Sequence, residues 1–124
     1  MKNENVSADL RTRTKSFALR IIRLYTALPN SNLAQVIGKQ VLRCGTSVGA
    51  HYREASRARS DAEFISKLEV ALQELDEAAY WLELLVESEL MTAEKLAELR
   101  DETNQLLAIL VACVKSVKKK QVHP

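Results

Sequence analysis

Hydrophobic residues recur along this chain at steps of three, four and seven, which is the period of an amphipathic helix. The pattern predicts four helices, at about residues 9–28, 33–58, 61–88 and 92–119. Pro29 ends the first helix, because proline disfavours a helical conformation in the residue before it. The residues placed to begin the next three helices are Asn30 or Ser31, Ser60 or Asp61, and Thr92.

Each predicted helix carries one apolar seam, and we expect the four seams to face a common core. The seams are Leu10, Phe17, Ile21, Leu24 and Leu28; Leu33, Ile37, Val41, Cys44, Val48, Tyr52 and Ala55; Phe64, Leu68, Leu72, Leu75, Ala79, Leu82 and Val86; and Leu96, Leu99, Thr103, Leu106, Leu110, Cys113 and Val117. Short connections make consecutive helices antiparallel neighbours. The predicted fold is therefore all-α, an antiparallel up-down-up-down four-helix bundle. It forms a single domain over residues 1–124, with a short polar N-terminus and a Lys-rich C-terminal tail.

The three glycines of the chain, Gly38, Gly45 and Gly49, fall inside the second predicted helix. Glycine weakens a helix interior by about 1 kcal/mol relative to alanine. On a helical wheel the glycines share one stripe with Ser56, beside the apolar seam. Small residues let another backbone approach closely, so we expect a neighbouring helix or a second subunit to press against this stripe. The alternative is that the glycines are tolerated on a solvent-exposed face.

The charge of the chain is distributed unevenly, although the net charge is only +2. Residues 1–59 contain eleven Lys and Arg against three acids, and residues 60–114 contain three against thirteen. Four lysines follow from Lys115 to Lys120, where the C-terminal end of a helix favours cations. This asymmetry suggests a basic surface for a polyanion, or head-to-tail charge pairing between subunits. Equally, basic helices of one bundle could simply lie beside its acidic helices.

Basic residues on the first two helices are the candidate nucleic-acid contacts. An arc of the second helix opposite its seam holds Lys39, Arg43, Arg53 and Arg57, and the first helix adds Arg13, Arg20 and Arg23. If the two helices are neighbours, these side chains could merge into one strip. Such a strip would suit phosphates through charge and bidentate guanidinium contacts.

Trp81, the only tryptophan, lies with Leu85 off the main seam of the third helix. Tryptophan beside the core of a small bundle is a good interface anchor. We expect Trp81 and Leu85, like the glycine stripe, to serve an oligomer or helix-packing interface. Burial of Trp81 within the monomer is the alternative.

Candidate chemistry for catalysis is sparse. Cys44, His51 and Glu54 follow one another along the second helix and could be imagined as a metal or thiol site. No HExxH motif, repeated ExxH or glycine-rich phosphate loop supports this reading. We predict no enzymatic activity, no metal and no cofactor. Cys44 and Cys113 suit reduced thiols on apolar faces, and the chain shows no signal peptide or membrane span, so we expect a cytoplasmic protein.

The segment TSVGAHYREASRARSDAEFISKLEVALQELDEAAYWLELL, residues 46–85, resembles the four-helix bundle proteins encoded within intervening sequences of bacterial 23S ribosomal RNA genes. His51 departs from the asparagine common at that position. The positions that carry the resemblance are Thr46, Ser47, Val48, Gly49, Ala50, Glu54, Ala55, Ser60, Glu63 and Phe64.

The resemblance implies a bundle that assembles as a ring of five. It also implies kinship with the accessory variability protein of diversity-generating retroelements, a similar pentamer with a basic nucleic-acid-binding surface and a reverse transcriptase partner. No catalytic residues come with it, and for most of this family the cellular role is not established. We therefore expect a non-enzymatic homo-oligomer that binds RNA or DNA through its first two helices. The alternative is a protein–protein adaptor or scaffold that binds no nucleic acid.

Overall fold

Four α-helices make up nearly all of the computed structural model, which describes the backbone of residues 2–122 and the side chains of residues 9–120. The helices are α1 (Lys2–Ala27), α2 (Asn32–Ser56), α3 (Asp61–Glu87) and α4 (Ala93–Val122). α1 begins seven residues before its predicted start, since no proline or glycine interrupts residues 2–8. The polar N-terminus is therefore helical in its backbone, although its side chains lie outside the described residues. The lysine-rich tail forms the last turns of α4.

Hydroxyl side chains begin the last three helices. The hydroxyl of Ser31 accepts a hydrogen bond from the backbone N–H of Ala34, and that of Ser60 accepts one from Glu63. Thr92 accepts one from the N–H of Lys95 at 3.2 Å. Each bond satisfies a backbone donor that has no partner within its own helix.

The end of α3 is a Schellman motif without a glycine. The N–H of Leu90 donates to the carbonyl of Leu85 at 3.0 Å, and the N–H of Glu89 donates to that of Val86 at 3.0 Å. Glu89 adopts the left-handed conformation, with φ of 64°. Glycine is the usual residue there because its lack of a Cβ removes the steric penalty.

The helices pack in chain order, α1 on α2, α2 on α3 and α3 on α4, and the contact between α4 and α1 is the least extensive. Two ion pairs fix the antiparallel register of α2 and α3: Arg43 pairs with Glu77, whereas Glu54, further along α2, pairs with the earlier Lys67. The expected all-α bundle of antiparallel neighbours is confirmed. Across residues 2–122, no helix has the length and apolar character needed to cross a bilayer.

The core contains the predicted seam of α1 in full, since all five of its residues are buried. Thr14, also fully buried, shares that face, and its hydroxyl donates to the carbonyl of Leu10 at 2.7 Å. The predicted seam of α2 is buried except for Leu33, which is 53% exposed. The α2–α3 register places Leu33 beside Glu87, where α3 ends, so no helix of the bundle covers it.

The buried face of α3 contains Leu68, Leu75 and Leu82 of the predicted seam but differs from it at the other positions. Its buried residues are Ile65, Leu68, Ala71, Leu75, Ala78, Leu82 and Leu85. Phe64, Leu72 and Val86 of the predicted seam are only partly buried. Because α3 packs against both α2 and α4, its buried arc is broad. Ala71 and Ala78 lie within that arc, where their small side chains let the neighbouring helices approach.

Candidate nucleic-acid interface

The glycine stripe of α2 lies against α1. A Cβ built on Gly45 would come within 2.8 Å of Ile21 Cγ1, and one on Gly38 within 2.6 Å of Leu28 Cδ1. At Gly49 the nearest atom would be Thr14 Oγ1, at 3.2 Å. Real Cβ contacts are almost never shorter than 3.0 Å. Glycine at the first two positions therefore permits the close approach of α1.

Ser56 does not continue this contact. Its side chain is exposed, and its hydroxyl donates to the carbonyl of Arg53 at 2.9 Å. The stripe is thus a contact between helices of one chain, made by the three glycines alone.

Arg43 is neutralised by α3. Its guanidinium donates to Glu74 Oε2 at 3.0 Å and also to Glu77. Burial opposes the charge of Arg43, but the two carboxylates outweigh it and raise the pKa of the guanidinium above its ordinary value. Ser47 donates to the same Oε2 of Glu74 at 2.8 Å. Arg43 therefore joins two helices, and although its side chain is 53% exposed, its guanidinium is already paired with two carboxylates.

Trp81 and Leu85 have separate environments. Leu85 is fully buried in the core of the chain, so its interface is with neighbouring helices. Trp81 is partly buried against the core, and its indole Nε1 donates to Glu77 Oε2 at 3.3 Å. The exposed ring of Tyr80 meets Trp81 edge-on, with ring centroids 5.2 Å apart. Trp81 therefore packs against the core of its own chain, and its ring also contacts the exposed ring of Tyr80.

Arg13 is also neutralised, in this case by α4. Its guanidinium makes a bidentate contact with Glu102, with Nη2–Oε1 at 2.6 Å and Nε–Oε2 at 3.1 Å. Both side chains are largely shielded from solvent, at 26% and 19% exposure. The hydrogen bonds that Arg13 donates to Glu102 raise the pKa of the guanidinium. Arg20, two turns further on, shares the α4-facing side of α1 with Arg13. Arg13 and Arg20 therefore lie on a different side of α1 from the side that contacts α2.

Several other cations of α1 and α2 have no carboxylate within 4.0 Å among the side chains of residues 9–120. Those from the predicted set are Arg20, Arg23, Lys39, Arg53 and Arg57. Lys39 and Arg57 are exposed and Arg53 is partly exposed on the outer side of α2. These three retain the open position that the sequence predicted.

Two further unpaired cations, Arg11 and Lys15, were missed at the sequence level. Arg11 lies two heptads before Tyr25, whose ring contacts the site of Gly38, so both face the α2 side of α1. Lys15 follows Arg11 by one turn. Because Gly49 lies against Thr14, the antiparallel helices bring Arg11 level with Arg53. The heptad spacing to Tyr25 is the signal that could have identified Arg11.

The imagined thiol or metal site does not assemble. Cys44 is fully buried, and burial raises the pKa of its thiol to about 12. His51 Nδ1 lies 3.5 Å from Glu54, which also pairs with Lys67. No group of three or more His, Cys, Asp or Glu within the described part of the chain is arranged to hold a metal ion.

Comparison with known proteins identifies a protein family and similar solved structures. The family model for the 23S rRNA-intervening sequence protein matches residues 8–112. A crystal structure from Bacteroides thetaiotaomicron VPI-5482, described as a protein with unknown function from the S23 ribosomal protein family, is 39% identical to this chain. It superposes with a TM-score of 0.82 over 88% of this chain and 97% of its own. No curated protein matches. The chain belongs to the 23S rRNA intervening sequence protein family.

Proposed function

We propose that this protein binds the phosphate backbone of RNA or DNA, without catalysis, through one face of the α1–α2 pair. The basic face consists of Arg11, Lys15, Arg53 and Arg57. The observation that carries the proposal is that these four cations lack carboxylate partners within residues 9–120, whereas Arg13, on α1, is engaged by Glu102. A guanidinium that makes a bidentate contact with a carboxylate has those donors occupied. An unpaired guanidinium can make the same bidentate contact with a phosphate.

The remaining basic residues have secondary places in this proposal. Lys39 lies on the same outer side of α2, roughly 21 Å along the helix from Arg53 at 1.5 Å per residue. It could contact a more distant phosphate of a long ligand. Arg20 and Arg23 are unpaired, but Arg20 faces α4, so a ligand on the basic face does not reach it. The proposal includes no cofactor.

Charge-reversal variants test the basic face directly. Arg53→Glu with Arg57→Glu should abolish a fluorescence-anisotropy change with labelled RNA or DNA at low salt. Lys95→Glu with Arg100→Glu is the matched control, because it changes the net charge equally at the opposite end of the bundle. Equal loss in the two variants would reduce the effect to net charge and overturn the assignment. Absence of binding by the unaltered protein would overturn the function.

A second candidate is protein association, either of a second copy or of a partner such as a reverse transcriptase. It is supported by large apolar side chains that are about half exposed: Leu33 at 53%, Val36 at 55% and Tyr80 at 54%. The α2–α3 register places Val36 level with Leu84, one turn from Tyr80, so these residues lie toward the same end of the bundle. Such a surface suits a partner better than solvent.

The ring of five belongs to this second candidate. Light scattering should give a mass several times that of the chain, and Val36→Lys with Tyr80→Lys should lower it. A monomeric mass for the unaltered protein would remove self-association. A stable oligomer that binds no nucleic acid at low salt would favour the adaptor.

A further inference from the structure

A groove opens at the end of the bundle where α2 and α4 finish and α3 begins. Its volume is about 730 Å³, and its floor is largely apolar, with Phe64, Ile109 and Val117 among its lining residues. Arg59 in the α2–α3 turn and Lys120 near the end of α4 line this same groove. Two cations that are 61 positions apart in the sequence thus line one groove, and together they are called the Arg59–Lys120 rim.

The antiparallel topology explains why both cations lie at this end of the bundle. α2 and α4 run in the same direction, so their C-terminal ends share one end of the bundle with the start of α3. Arg57 of the basic face is two residues from Arg59, so the rim continues the basic face around the end of the bundle. The helix dipole also favours cations at helix C-termini. This effect accounts for the presence of the two cations but not for the absence of a close carboxylate partner at Arg59.

The partners of these cations differ in strength. Arg59 is exposed and has no carboxylate within 4.0 Å in the described part of the chain. Lys120 Nζ lies 3.8 Å from Asp61 Oδ2, and the two side chains are 73% and 44% exposed. Such a long, exposed ion pair holds its partners weakly. A phosphate arriving at the rim could therefore replace Asp61 as the anion beside Lys120.

We infer that the Arg59–Lys120 rim is a second phosphate-binding point, over which a nucleic acid bound to the basic face continues around the end of the bundle. Asp61 acts at this point as a competing anion. The inference rests on the proposed function, and it adds the α2–α3 turn and the end of α4 to the binding surface. The recognised group is the phosphodiester, which RNA and DNA share.

Removal of the cations and removal of the competing anion have opposite expected effects. Arg59→Gln with Lys120→Gln should weaken binding of a labelled mixed-sequence duplex and reduce the slope of log affinity against log salt by about 2, one for each phosphate contact. Asp61→Asn should strengthen binding about two- to fivefold, because the carboxylate of Asp61 competes for Lys120 only through a weak, exposed ion pair. Parallel titrations with an RNA duplex and a DNA duplex of the same sequence distinguish the two sources of phosphate.

Glu94→Gln is the matched control for Asp61→Asn, because both acids lie in the first turn of a helix and Glu94 belongs to the opposite end of the bundle. Glu94→Gln should raise affinity only by the general effect of removing one negative charge. That gain should be smaller than the gain from Asp61→Asn. Circular dichroism establishes that each variant is folded. If the unaltered protein binds but Asp61→Asn equals Glu94→Gln, or if the double glutamine variant keeps the full slope, the rim is not a contact and the basic face still stands. If the unaltered protein binds neither duplex, the proposed function itself fails.

Discussion

The contact between Gly45 and Ile21 provides a sharp test of how α1 and α2 pack. In Gly45→Ala the new Cβ would lie 2.8 Å from Ile21 Cγ1 and 3.0 Å from Cγ2. Both atoms are attached directly to Cβ of a β-branched side chain, which has little rotamer freedom in a helix. The clash therefore requires movement of the α1 backbone and not only of a flexible side-chain tip.

Two opposing effects determine the size of the change. Overpacking of a well-packed core destabilises by about 1–3 kcal/mol. Alanine gains about 1 kcal/mol over glycine in helix propensity. We therefore expect Gly45→Ala to lower the free energy of unfolding by roughly 1 kcal/mol. Gly49→Ala should be close to neutral, because its new Cβ would lie 3.2 Å from Thr14 Oγ1 and needs only a small adjustment.

A double-mutant cycle with Ile21→Ala separates the clash from other effects. Ile21→Ala removes the clashing atoms and by itself should lower stability by about 2–5 kcal/mol through the cavity it leaves. In that background Gly45→Ala should stabilise by up to about 1 kcal/mol, since only the helix propensity remains. Urea unfolding followed by circular dichroism at fixed protein concentration measures all four variants. The same loss from Gly45→Ala in both backgrounds would refute the contact.

Three further predictions concern single positions. Glu89→Gly should raise the free energy of unfolding by up to about 1 kcal/mol, because glycine adopts the left-handed conformation without steric strain; a lower melting temperature would contradict the Schellman assignment. Glu102→Gln should cost about 1–2 kcal/mol, since Arg13 would be left partly buried without its counter-charge. Glu69→Gln, which breaks an exposed pair with a lysine, should cost less than about 0.5 kcal/mol, and equal losses in urea unfolding would refute the distinction. Burial raises the pKa of Cys44 from 9.0 to about 12, so above pH 9 the unfolded thiol loses its proton first and stability should fall between pH 9 and 12; Cys44→Ala should show a shallower decline over that window, and identical slopes would show that the thiol is not protected.

Much of the fold follows from local features of the sequence. Pro29 and the serine and threonine caps define the helix boundaries, and the aliphatic spacing of α1 identifies its buried face without ambiguity. α3 is different, because Leu72 and Leu85 are both apolar and a helical wheel alone cannot choose between their faces. That choice depends on where α2 and α4 approach, which is information from distant parts of the chain. The exposure of Leu33 likewise depends on where α3 ends.

The candidate site was harder to predict, for a related reason. A wheel of α2 places Arg43 and Arg53 on one arc, yet α3 neutralises the first and leaves the second open. The partner of Arg13 is 89 positions away on α4. Ion pairs between the helices of a bundle cannot be predicted from the residue pattern of one helix. Under the proposed function, these ion pairs separate the arginines already held by carboxylates from those available to phosphate.

The salt dependence of nucleic-acid binding tests the central claim most directly. Counterion release makes log affinity fall linearly with log salt, with a slope that reports the number of phosphates contacted. The affinity of the unaltered protein and of Arg53→Gln with Arg57→Gln for one labelled duplex should be measured from about 50 to about 200 mM salt. The account predicts a steep slope for the unaltered protein and a slope smaller by about 2 for the variant. A slope near zero for the unaltered protein, or equal slopes for the two, would contradict it.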